Sequence, residues 1–278
     1  MKLEKIWAVY FSGTGTTRRT VERIAGGIAS RLNLPAESVD FSRPAVRQET
    51  LCFGEKDLVV FGTPVYAGRV PNVLLPFLRE RIVGGGALAV PVVLFGNRNY
   101  DDALIELRNI LAADGMHPIA AGAFVGEHSF SRVLGADRPN AEDEALMDKF
   151  AARVAELAAG LDAAPVKSVA VRGQEPLRAY YTPRDRAGNP INILKVKPKT
   201  DLSRCGGCGL CADLCPMGSI DPADVSAVRG ICIKCCACVK GCPTGAKFFD
   251  DAGYLYHQHE LEAQYARPAE NEVFYIQL

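Results

Sequence analysis

Eight of the ten cysteines fall in two runs of the same form near the C-terminus. The first is Cys205, Cys208, Cys211 and Cys215, followed by Pro216. The second is Cys232, Cys235, Cys238 and Cys242, followed by Pro243. Each reads C-x2-C-x2-C-x3-C-P. A cubane iron–sulfur cluster needs a thiolate at each of its corners. Three cysteines three apart wrap one cluster locally, and the fourth ligand must come from elsewhere. In the two-cluster arrangement the fourth cysteine of each run crosses to the other cluster. The spacing therefore predicts two 4Fe–4S clusters. Cluster one takes Cys205, Cys208, Cys211 and Cys242; cluster two takes Cys232, Cys235, Cys238 and Cys215. The small residues Gly206, Gly207, Gly209 and Ala237 let backbone N–H groups approach the cluster sulfurs, which stabilises their negative charge.

Other cysteine chemistries fit less well. Structural zinc also uses CxxC pairs but usually separates them by a longer knuckle. Disulfides belong to oxidising compartments, and the apolar run from Ile6 to Phe11 is too short for a signal peptide. The expected location is the cytoplasm. Cys236, beside Cys235 where the first run has Gly209, is read as a small buried filler, with a swapped ligand or tuning thiol near cluster two as the alternative. Cys52 stands alone and is expected in the core.

Length and charge set the rest of the frame. The 278 residues allow one large domain or two ordinary ones. Formal net charge is zero, which argues against a nucleic-acid partner. No apolar stretch reaches the ~20 residues of a membrane span. Because Cys52 alone precedes residue 200, the chain divides into an α/β part over 1–162, a connector over 163–200 and a cluster-bearing part over 201–278.

In the first part, residues 4–11 form an apolar, β-rich run that ends in Ser12-Gly13-Thr14-Gly15-Thr16-Thr17. Val21, Ile24, Ala25, Ile28 and Leu32 then recur at helical spacing. A glycine- and hydroxyl-rich turn between strand and helix presents backbone N–H groups and the positive helix end to an anion. No Gly-Lys-Ser/Thr ending makes it a P-loop, and Arg18 stands where the dinucleotide fingerprint needs its third glycine. A terminal phosphate suits what remains; a plain capped β–α turn is the other reading.

Further strands are expected at 36–41, 57–62, 87–95 and 118–125. Helices are expected from Asn72 to Glu80, from Ala103 to Ala113 and from Glu142 to Leu161. Apolar strands alternating with helices make a parallel sheet covered on both faces. Ligands in such sheets bind beyond the carboxyl ends of the strands. Loops 12–17, 63–71 and 96–102 lie there, a phosphate turn with two loops able to bracket a flat ring. That is the pattern of an FMN site. No second nucleotide-binding turn suggests an NAD(P)H site.

The segments FSGTGTT, GTPVYAGRVP and FGNRNYDDAL resemble the phosphate- and ring-binding loops of flavodoxins. Continuing into two ferredoxin repeats, the chain resembles the flavodoxin–ferredoxin fusion proteins, the EFR1-type ferredoxin family, over nearly its full length. The resemblance implies a flavodoxin-like five-stranded parallel doubly wound sheet plus a small α+β ferredoxin domain. It implies that Ser12, Thr14, Thr16 and Thr17, with the amides of Gly13 and Gly15, hold the FMN phosphate. Pro64, Val65, Tyr66 and Ala67 would lie along the ring, and Gly96, Asn97, Arg98 and Tyr100 would line its other side. Thr16 departs from the pattern, standing where such loops often carry asparagine. His128 follows a strand end, where a surface histidine is the ordinary expectation.

The connector is rich in proline, glycine and basic residues. It is read as a solvated wrap, with short edge strands at 177–181 and 191–196; docking of an acidic electron carrier is the alternative. The tail from Gly253 is expected to pack on the cluster domain or a partner. Together these features point to an electron-transfer flavoprotein linking one- and two-electron carriers, supplied by a ferredoxin-like partner. An FMN-dependent reductase of a small organic acceptor is the rival. If flavin and clusters lay far apart in one chain, a homodimer would bring them together.

Overall fold

The structure, a computed structural model, describes residues 1–277. Four apolar runs and one polar edge segment form the parallel strands β1 (Lys5–Tyr10), β2 (Ala36–Asp40, the polar one), β3 (Asp57–Pro64), β4 (Leu88–Phe95) and β5 (Ala120–Val125). They lie in the order β2-β1-β3-β4-β5. This is the flavodoxin-like strand order, and it reverses direction at β1 and β3, where such sheets open a crevice for ligands.

Side chains alternate across the sheet. Ile6, Ala8, Leu58 and Val60 point into one apolar layer, Val9, Val59 and Phe61 into the other. The first layer is closed by α1 (Thr16–Leu32) and α4 (Ala141–Gly160). The expected α1 stripe is buried at Val21, Ile24, Ala25 and Ile28. Phe150 of α4 is fully buried against Phe124; its replacement by alanine would cost about 3–5 kcal/mol. The second layer is closed by α2 (Leu75–Glu80) and α3 (Ala103–Ala113). A 3-10 turn at Asn72–Leu74 supplies the first part of the helix expected from Asn72.

The cluster-bearing part is built on short elements. Strand pairing of Lys199–Thr200 with Lys247–Phe248 closes it at one end. Helices α5 (Leu210–Asp213) and α6 (Ala237–Lys240) each contain the third cysteine of a run, Cys211 and Cys238. Both begin after a left-handed residue, Gly209 at φ 73° and Cys236 at φ 59°. Glycine takes that conformation freely; Cys236 takes it at a cost of about 1–2 kcal/mol.

Three expectations change. The tail splits its allegiance. Helix α7 (Ala252–Gln264) packs Tyr254 on Phe249 of the cluster part, but β6 (Glu272–Tyr275) returns to the first sheet and pairs antiparallel with β5. Its alternating residues enter both apolar layers, Val273 and Tyr275 on one side and Phe274 on the other. The connector forms no strand at 177–181 or 191–196; an isolated bridge joins Arg184 to Pro190 instead. It is held by side chains: buried Asp102 accepts from the Gln174 and Arg178 amides at 3.0 and 2.8 Å, and Tyr180 donates to the Val70 carbonyl at 2.8 Å. Several of its basic residues are paired, Arg178 with Asp102 and Arg186 with Glu260. Cys52 is exposed, because it sits in the two-residue strand Leu51–Cys52 outside the main sheet. No helix among the described residues is long and apolar enough to cross a membrane.

Candidate functional site

The loop after β1 is shaped to receive an anion. Gly15 turns left-handed at φ 88°, and α1 begins at Thr16 with no side-chain cap and no acidic residue in its first turn. The 17-residue helix thus presents its positive end and the first N–H groups, those of Thr16 and Thr17, toward the loop. Gly62 of β3 has no side chain because Thr17 and Val21 of α1 pack directly against it. The Ser12 hydroxyl accepts from the Arg18 amide at 3.2 Å and its own amide donates to Ser42 at 2.7 Å, so Ser12 closes the loop. Gly13, Thr14, Thr16 and Thr17 line a small cavity with Pro64, Val65, Tyr66, Gly96 and His128. Uncapped amides and convergent hydroxyls fit a phosphate group.

One further residue lines that cavity, Cys235 of the second run. A Cβ placed on Gly13 would stand 3.0 Å from the Cys235 Cβ. The anion loop and the second cysteine run are therefore in contact within one chain, and no homodimer is needed to join them.

The small cavity shares Val65, Tyr66, Gly96, His128 and Ser129 with a chamber of about 780 Å³. Loops 63–71 and 96–102, the connector and the second cysteine run wall this chamber. Ala67 and Arg98 line it. Burial raises the Tyr66 phenol well above its ordinary range, and Cys235, Cys236 and Cys232 beside it add to the shift. Burial lowers His128 to about 3, assisted by Lys240, His257 and Arg98. Burial lowers His257 to about 4, assisted by Arg98. Both imidazoles are neutral at pH 7.

Two residues expected at the ring turn elsewhere. Tyr100 is fully buried under the loop, 5.5 Å from Phe95, and its hydroxyl donates to Glu272 at 2.8 Å. The returning strand β6 places that carboxylate there. Asn97, left-handed at φ 65°, ties down the tail: its side chain donates to the Tyr265 and Arg267 carbonyls at 2.6 and 3.0 Å and accepts from the Ala269 amide at 2.9 Å. Arg98 stays at the chamber, ion-paired with Asp101 and 4.7 Å over the Tyr181 ring. The loop after β5, where a surface histidine is the ordinary expectation for His128 and a proton donor the alternative, joins the three expected loops. Glu127, His128 and Ser129 line the small cavity, and the strand-end rule that picked out the other three loops applies to this one equally.

One cysteine of the first run, Cys215, lies among those of the second. Cys215, Cys232, Cys235 and Cys238 line one pocket, together with Cys236. Cys205 and Cys211 are electrostatic neighbours. Asp201 donates its amide to Ala246, and Arg204 reaches the Thr244 carbonyl at 2.7 Å, which draws the start of the first run to the end of the second. The repeat extends to hydrogen bonding. The Ser219 amide donates to Cys215 Sγ at 3.3 Å and the Ala246 amide to Cys242 Sγ at 3.2 Å, each four positions after its cysteine. Among the described residues no three His, Cys, Asp or Glu converge tightly enough for a single metal ion; a cubane instead takes each thiolate on its own iron. Burial pushes the thiols of Cys235 and Cys238 up to about 12. Cys242 goes the other way. Burial opposes its ionisation, but hydrogen bonds from Thr244, Lys247 and Ala246 draw it down to about 7. Cys236 is buried as expected, its Sγ 3.4 Å from the Tyr254 hydroxyl.

The family model described as a 4Fe–4S binding domain matches residues 198–221, the segment of the first run. Solved structures with similar folds include a flavodoxin from the domain Archaea, 17% identical, covering 55% of this chain and 97% of that one at a TM-score of 0.41. A flavodoxin of Streptococcus pneumonia TIGR4 is 19% identical and covers 56% of this chain and 99% of its own, at 0.38. The apo form of an NADH:FMN oxidoreductase, EmoB, is 17% identical and covers 56% and 89%, at 0.39. No curated protein matches. The strand order and the 4Fe–4S match decide the architecture. The chain joins a flavodoxin-like domain to a 4Fe–4S ferredoxin domain. The two meet through more than Cys235. Lys240 of α6 pairs with Glu127 and donates to the His128 carbonyl at 2.7 Å, fixing the second cysteine run against the loop after β5.

Proposed function

We propose that this protein carries two 4Fe–4S clusters and one FMN and passes electrons between them, converting between one- and two-electron carriers. Cluster one is held by Cys205, Cys208, Cys211 and Cys242, and cluster two by Cys232, Cys235, Cys238 and Cys215. The FMN phosphate lies on Gly13, Thr14, Gly15, Thr16 and Thr17, with Ser12 closing the loop, and the ring lies along Pro64, Val65, Tyr66 and Ala67 with Gly96 and Arg98 opposite. The domains run over 1–162 and 201–278, joined by the connector 163–200, with β6 inserted back into the first sheet. The supporting observation is that Cys235 lines the same cavity as Gly13 and Thr14.

When bound, the clusters supply one-electron steps and the flavin one- or two-electron steps. The protein sets distance and environment. Tyr66 and Cys235 wall the cavity on the cluster side, and Gly13 permits the approach because any larger residue would separate loop and cysteine. The apolar setting of Cys235 and Cys238 excludes water from cluster two.

A second reading is favoured by the chamber of about 780 Å³ beside the ring loops. In it the flavin reduces a small organic acceptor. His128, facing both cavities, is then positioned to hold a proton on its neutral imidazole. The test of the first reading is analysis of anaerobically purified protein. About eight irons, matching sulfide and one acid-released FMN per chain are expected. Folded protein with no flavin, or with neither iron nor sulfide, would overturn it.

A further inference from the structure

The chamber extends well beyond the ring loops. Its volume of about 780 Å³ is in the upper part of the range of small-molecule sites, about 300–1,000 Å³. Val65, Tyr66 and Gly96 line the end that opens onto the anion loop. Other segments build the rest, Tyr181, Ile193 and Leu194 from the connector and Ile231, Ile233 and Lys234 from the second cysteine run. These walls are largely apolar, yet two cations line the chamber, Arg98 and Lys234, and no carboxylate does.

Neither cation is saturated. Lys234 donates to the carbonyls of Leu194 and Cys232, both at 2.9 Å, which leaves one of its three N–H groups; no carboxylate pairs with it among the described residues. Arg98 uses one nitrogen on Asp101, which does not line the chamber. A cation against apolar walls is costly unless an anion meets it; Arg98 has Asp101, and Lys234 has carbonyl partners alone among the described residues. His128 and His257 also face the space and, being neutral at pH 7, add no charge.

We propose that the part of the chamber away from the anion loop binds a small organic acid, with its apolar or aromatic body against Tyr181 and Ile193 and its single carboxylate toward Lys234 and Arg98. The proposal rests on the flavin reading for the inner end of the chamber, and names the class of molecule that the second reading would reduce. The connector then acts as the wall that completes a binding site.

Equilibrium dialysis of the anaerobic holoprotein with trans-cinnamate and with its neutral amide tests this, alongside the flavin difference spectrum. Saturable binding of about one cinnamate per chain is expected, with the amide at least tenfold weaker. Lys234→Met is expected to weaken cinnamate at least tenfold and leave the amide unchanged. If K234M loses its cluster, the acid–amide comparison on the unmodified holoprotein carries the test. Leu194→Trp, at an exposed position, is expected to weaken both ligands at least tenfold while iron and FMN contents hold. Equal affinity for acid and amide would overturn the proposal, as would binding only to protein stripped of FMN, since the ring would then fill the chamber. Flavin-loaded protein that binds no cinnamate overturns this proposal and leaves the flavin reading standing. Protein that binds cinnamate but contains no FMN upholds the anion site and overturns the flavin reading.

Discussion

The two cysteine runs share one spacing and differ in burial. In the first, Cys208 is exposed and Cys205, Cys211 and Cys215 are partly so; in the second, Cys232 and Cys242 are partly exposed. Cys235 and Cys238 are buried, and Cys235 reaches the anion loop of the other domain. The position of the left-handed residue marks the same split, Gly209 in the outer run and buried Cys236 in the inner one. The outer site faces solvent, where a protein partner can exchange single electrons. On the inner side Cys235 and Cys238 are withdrawn from solvent, and Cys235 faces the flavodoxin-like domain. Exposure and hydrogen bonds to sulfur set cluster potentials, so the two clusters are expected to differ in potential.

The largest expected effect comes from breaking the inner run. Cys235→Ala is expected to lower iron from about eight to about four per chain and to slow flavin reduction by an external one-electron donor at least about a hundredfold. FMN should remain bound. Stopped-flow reduction and iron analysis check this, and undiminished flavin reduction would show that cluster two is not on the path. A smaller loss is expected from Gly13→Val, whose side chain would press on Cys235 from 3.0 Å. FMN affinity should fall by about tenfold, on the order of 1.4 kcal/mol, with iron content unchanged; fluorescence titration of released and rebound FMN measures it.

Acid should expose the buried side of the contrast. His257 is almost fully buried, and burial holds it at about 4 against an ordinary 6.5. The unfolded chain takes up its proton below about 6.5 and the folded chain only near 4. Stability from this group is therefore complete above pH 6.5 and is lost as pH falls toward 4, by up to about 3 kcal/mol. The difference in urea midpoint between wild type and His257→Gln at pH 7 and at pH 4.5 reads it directly. A more modest effect is expected at the tail. Asn97→Ala removes three hydrogen bonds to residues 265–269 and should cost about 2 kcal/mol, with hydrogen exchange rising first in Glu272–Tyr275.

What could be read from sequence was whatever local spacing encodes. The cysteine runs, the turn from Ser12 to Thr17 and the alternation of strand and helix are short-range patterns. Helix α3 falls at its expected bounds, Ala103–Ala113. What stayed hidden depends on distant pairing. Four residues, Glu272–Tyr275, carry too little periodicity to announce a strand, and their partner β5 lies far away in the chain. Without that strand, nothing says that Glu272 will draw Tyr100 inward, or that Asn97 will hold the tail instead of a ring. The chamber is built by several segments, none of which has a motif. The contact of Cys235 with Gly13 is equally invisible, although each residue belongs to a legible motif, the cysteine run and the turn after β1.

Cys235 touches Gly13, and the close approach of cluster two to the flavin proposed from that contact is tested most directly by electron paramagnetic resonance during an anaerobic redox titration. Close approach predicts that the flavin radical relaxes faster and broadens when cluster two is reduced, and that this effect disappears in Cys235→Ala. A flavin radical whose line shape and relaxation are the same whether cluster two is oxidised or reduced would contradict it.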